Sequence, residues 1–131
     1  MNSLTQCRAA LLNFLTNASP VPVKATGDST MHPARLYAEI NINGPITKPK
    51  ISQRFKLNIL VIAIPRPEDN VYSYIDIANQ FHDILQALAL TVPNVGCLSH
   101  DGNINVLDFG YVDKAETIKQ ATITCDIILE N

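Results

Sequence analysis

The strongest constraint on the fold is the stretch from Arg54 to Leu90, which has the pattern of a long strand, a corner and a helix. Its first part alternates polar and apolar residues as far as Ile59 and is wholly apolar beyond it. Alternation predicts a strand with one buried face, and the apolar run predicts that the second half is covered on both faces. Pro65 and Pro67 end the strand, because proline cannot donate a hydrogen bond to a sheet.

An amphipathic helix follows this corner. Asp69 or Asn70 is suited to cap it, since both side chains accept hydrogen bonds from free backbone amides at a helix start. Apolar residues then recur at spacings of three and four, the period of one helix face. They are Ile75, Ala78, Phe81, Leu85 and Leu88. A helix folded onto a sheet is therefore the predicted core.

The N-terminal segment predicts a second helix, followed by a short edge strand or an extended segment. Ser3 and Gln6 form a capping-box pattern, and the helix should end near Asn17 because prolines follow. Between these ends runs an apolar stripe of Leu4, Cys7, Leu11, Leu12 and Leu15, which Phe14 widens. The segment 21–26 contains a proline, which restricts it to a sheet edge.

Four further segments predict strands: 35–42, 95–99, 104–111 and 118–130. The last alternates cleanly and leaves a polar face at Gln120, Thr122, Thr124 and Asp126, which is wet or faces a polar partner. The element order α-β-β-α-β-β predicts an α+β fold class, in which two helices pack on one face of a mostly antiparallel sheet of about four to five strands. At 131 residues, the chain 1–131 is expected to form a single domain.

Composition limits the classes of function. Charged residues make up 17% of the chain, below the roughly 25% of typical domains, so we expect part of the surface to be buried in an oligomer. A net charge of −2 argues against a generally basic surface for nucleic acid. The longest apolar run is about six residues, far short of a membrane span. Three cysteines without a close pair, and no signal-peptide pattern, predict a reducing, cytosolic or assembly-associated setting.

No motif predicts catalysis, a metal or a cofactor. Cys97 and His100 have ligand spacing, but structural zinc sites normally need two such close pairs. His82 is interpreted as a boundary residue of the helix, and Asp101 as a turn residue of the segment 100–103. The tripeptide 108–110 is interpreted as a strand with a glycine, which marks a bulge or a close backbone approach. We therefore expect that the protein is not an enzyme.

One local basic cluster remains as a candidate contact site. Its members are Lys48, Lys50, Arg54 and Lys56. The connection around 43–53 is predicted to be a hairpin arm, either solvated or projecting onto a neighbouring subunit or a nucleic-acid backbone. Arg66 and Glu68 at the proline corner are candidates for an ion pair between subunits, or stand in water.

The order and lengths of these elements resemble those of a known class of virion proteins. A short helix leads into a hairpin with Gly44-Pro45, a strand ending at 62–65, a helix at 77–88 and a long final strand at 120–130. Over nearly the whole chain this resembles the tail-terminator and neck, or head–tail joining, proteins of tailed bacteriophages.

The resemblance implies a structural role in viral tail assembly. It implies a homo-hexameric ring, assembled in the host cytoplasm, at the head-proximal end of the tail. Such a ring ends growth of the tail tube, and of the sheath in contractile tails, and docks the head connector. Genome DNA passes through its lumen without specific binding, which suits a chain that is not basic. The alternatives are another neck or head-completion connector protein, or a small ferredoxin-like ligand-binding domain or enzyme with a pocket between helix and sheet.

Overall fold

The computed structural model describes residues 3–24, 34–46, 53–66 and 73–130. Two helices and seven strands occur in these ranges. In chain order they are α1 (Ser3–Ala18), β1 (Val23–Lys24), β2 (Leu36–Ile46), β3 (Gln53–Ala63), α2 (Ser73–Gln86), β4 (Ala89–Val92), β5 (Gly96–His100), β6 (Asn105–Tyr111) and β7 (Lys119–Glu130). None of the helices in the described ranges is both long and apolar enough to cross a membrane.

The strands form one mixed sheet in the order β1-β2-β3-β7-β5-β4, and β6 also pairs with β7. The parallel pair is β1 with β2, and the other pairs are antiparallel. β7 is the central strand, since β3 pairs along one side of it while β6 and β5 share the other side end to end. The predicted α+β class is confirmed, but the predicted four to five strands were too few. The edge segment predicted at 21–26 contributes β1 to the same sheet, and β4, directly after α2, was not predicted.

One face of the sheet carries the core, as the alternation of β3 and β7 predicted. The register places Ile40, Ile59 and Ile123 in one row across β2, β3 and β7, and all three are buried. Both helices contribute to the same buried cluster. Their buried side chains are Cys7, Leu11 and Leu15 from α1 and Tyr74, Ala78, Phe81 and Leu85 from α2. The helix-on-sheet prediction is therefore confirmed.

Some predicted core positions are wrong. Leu12 of the N-terminal stripe is 36% exposed, because α1 turns only its Cys7–Leu11–Leu15 line toward the sheet. In α2 the buried residue of the first turn is Tyr74, while Ile75 is only partly buried. The proposed helix caps Asp69 and Asn70 lie outside the described residues.

The opposite face, called the open face here, carries the other side chains of β2, β3 and β7. Thr124 and Asp126 are partly exposed, as the wet-face prediction required. The prediction is wrong at Thr122, which is 6% exposed, and Tyr37 on the same face is also buried. Leu60, in the apolar half of β3, is only half-buried, so coverage on both sides is incomplete.

Candidate interaction surface

The exposed apolar side chains concentrate on β6 and the residue after it. Five large hydrophobic residues are exposed in the described part of the chain, and four of them lie within six positions. These four are Leu107 (49%), Phe109 (53%), Tyr111 (43%) and Val112 (48%), which together are called the β6 patch. Single exposed apolar residues are ordinary, whereas several on one strand make it a candidate contact surface. The register sets Leu107 opposite Thr122 on the open face and Tyr111 opposite Lys119, whose Nζ lies near the Tyr74 ring of α2, so the exposed side chains are divided between the two faces of β6.

A β-bulge turns Phe109 out of the sheet. The register of β6 on β7 shifts between Asp108 and Gly110, and Gly110 has a φ of 63°, which favours glycine. Oδ1 of Asp108 accepts a hydrogen bond from the Gly110 backbone N–H at 2.8 Å. Since bulges re-aim side chains, this one presents Phe109 to solvent. The bulge predicted at 108–110 is confirmed.

The bulge is tied to α2 by a buried tyrosine. The Tyr74 hydroxyl donates to the same Asp108 oxygen at 2.6 Å. That bond, then the Gly110 N–H and the nearby charge of Lys119, hold the pKa of Asp108 below its ordinary value. Nζ of Lys119 lies 5.4 Å from the ring centroid of Tyr74 and 4.7 Å from that of Tyr111. The β6 patch is therefore presented on a well-anchored backbone.

A second aspartate, Asp113, holds the loop between β6 and β7 together. Asp113 accepts from the backbone N–H groups of Thr117 and Ile118, both at 2.9 Å, and from the Thr117 hydroxyl. The Thr117 hydroxyl is the main cause that lowers the pKa of Asp113. The Val112 N–H donates to the Ile118 carbonyl at 2.9 Å, which fixes Val112 beside Tyr111.

The open face holds a separate polar cluster. Nη1 of Arg54 lies 3.4 Å from Oδ2 of Asp126 and 3.8 Å from Oδ2 of Asp101. A surface cavity of about 200 Å³ adjoins this cluster. Lys56, Asp101, Asn103, Asn105, Thr124, Cys125 and Asp126 line it. Two cations and two carboxylates meet here, so the local charge is balanced and the site is not a basic patch.

The predicted contact residues are not brought together by the described part of the chain. Lys48, Lys50 and Glu68 lie outside the described residues. Arg54 and Lys56 lie on the open face, with Arg54 engaged by carboxylates of its own chain.

Arg66 is exposed just beyond the end of β3. Part of the predicted arm, Asn43–Ile46, belongs to β2 and pairs with β3 up to Arg54.

The other polar residues singled out in the sequence serve local structure. Nδ1 of His82 lies 3.3 Å from Oδ1 of its neighbour Asp83 on the exposed side of α2. Nδ1 of His100 accepts from the Gly102 N–H at 3.0 Å, and Oδ1 of Asp101 accepts from the Asn103 N–H at 3.0 Å. The turn predicted at 100–103 is confirmed.

The three cysteines are free thiols. Burial raises the pKa of Cys7, and burial followed by the charges of Asp101 and Asp126 raises that of Cys125 to about 12. Within the residues that the structure describes, no three His, Cys, Asp or Glu side chains are placed to share a metal ion.

Two solved structures share this fold along nearly the whole chain. One, whose description states no function, has a TM-score of 0.69 at 14% identity and covers 100% of this chain and 98% of its own. The other is a chain from the virion of a native gene transfer agent particle, with a TM-score of 0.54 at 16% identity, covering 98% of this chain and 91% of its own. No family model and no curated protein matches the sequence. At these identities the likeness shows a shared fold.

Proposed function

We propose that this chain is a structural virion protein of a tailed bacteriophage or phage-like particle. Its proposed role is that of a ring-forming tail terminator at the head-proximal end of the tail. The observation that carries the proposal is the fold shared with a chain of a gene transfer agent virion. That likeness spans 98% of this chain and 91% of the other, so it concerns nearly the full length of both chains.

The surface chemistry supports an assembly role. Closed rings need subunits that contact one another through apolar, charge-poor surfaces, and obligate contacts are more apolar than the remaining surface. The chain is only 17% charged and exposes the β6 patch. In the proposed assembly, a homo-hexamer, one ring face contacts the tail tube, with the sheath if the tail is contractile, and the other contacts the head connector.

The charge distribution is consistent with passage of DNA through such a ring. A strongly basic lumen would retain DNA, because each phosphate contact releases counterions and adds affinity. The net charge is −2, and Arg54 and Lys56 share the open face with Asp101 and Asp126. In the proposed neck, genome DNA therefore passes without being held.

Deletion of the gene from the genome that encodes the protein tests this role. We expect tails that outgrow the normal length and fail to join heads, with both defects restored by the gene supplied in trans. Tails of normal length that fail to join heads would instead assign the protein to another neck or head-completion position. Normal, fully joined particles would contradict a structural role in the neck.

A further inference from the structure

We draw no further inference here: the strongest candidate, the polar cavity on the open face, carries none because its two carboxylates, Asp101 and Asp126, are already paired with Arg54, and no feature of the described residues beside them points to a particular ligand.

Discussion

Replacing Tyr74 by phenylalanine removes the hydroxyl that ties the β6 bulge to α2. Tyr74 is 1% exposed, and its hydroxyl donates to Oδ1 of Asp108 at 2.6 Å. A hydrogen bond to a charged group contributes about 1.5–3 kcal/mol. Because Asp108 is exposed, water can replace the lost donor and no buried charge is left unpaired. The lower end of that range applies, so we expect the free energy of unfolding to fall by about 1.5 kcal/mol at neutral pH.

Urea unfolding followed by circular dichroism measures this loss. With a typical dependence of about 1–3 kcal/mol per molar urea, the midpoint should fall by roughly 1 M. Tyr111→Phe is the matched control, since its hydroxyl makes no hydrogen bond within the described residues and its ring is 43% exposed. We expect that variant to lie within about 0.5 kcal/mol of wild type.

At acid pH, the difference in unfolding free energy between the wild-type protein and Tyr74→Phe should become smaller. The Tyr74 hydrogen bond is the main cause that lowers the pKa of Asp108 from its ordinary 3.8, so the folded state favours the carboxylate. Such a group adds stability that is fully present above the ordinary value and is lost as the pH falls through the folded pKa. A difference in stability that does not change in acid, or an equal loss of stability in Tyr111→Phe, would refute the proposed role of the Tyr74 hydrogen bond.

Three further perturbations test other parts of the structure. Gly96→Ala should destabilise the fold by about 2–4 kcal/mol, because φ is +155° and a Cβ would clash with the Glu130 carbonyl oxygen. Gly102→Ala is the control, since a Cβ there meets open space at φ +92° and should cost about 1 kcal/mol. Thermal unfolding of both variants measures the two losses, and equal losses would contradict the close approach at Gly96. Cys7 and Cys125 should resist alkylation at pH 8 in the folded protein and react in urea, whereas Cys97 should be labelled first; peptide mass spectrometry measures the order. Because the pKa of Cys125 is raised to about 12, its contribution to stability is present below its ordinary pKa of 9.0 and is lost as the pH rises toward 12. Arg54→Gln should lower the free energy of unfolding by about 0.5 kcal/mol at low salt and by less at high salt, since the Arg54 side chain is 37% exposed. A loss of stability that does not depend on salt would mean that packing dominates, and not the ion pairs with Asp126 and Asp101.

Local patterns predicted most of the fold. The alternation of β3 and β7 fixed which residues face the helices, because a period of two leaves only one register with a continuous apolar face. Prolines and the capping pattern placed the ends of α1, which runs Ser3–Ala18. The strand β4 was missed because Leu88 and Leu90 continue the apolar pattern of α2, and nothing local separates them from the helix.

The candidate interface could not be predicted in the same way. Apolar residues at 104, 106, 107, 109, 111 and 112 have the pattern of a strand buried on both faces. The exposure of four of them depends on which elements lie over β6, and this is a tertiary property that periodicity does not contain. The sequence predicted a contact site at the basic cluster instead, but Arg54 of that cluster is paired with Asp126 and Asp101 within its own chain.

Cryo-electron microscopy of the head–tail junction of intact particles tests the central proposal most directly. The proposal predicts a six-fold ring of this fold between the tail tube and the head connector. A junction without this chain, or a copy located elsewhere in the particle, would contradict the proposed role as a tail terminator.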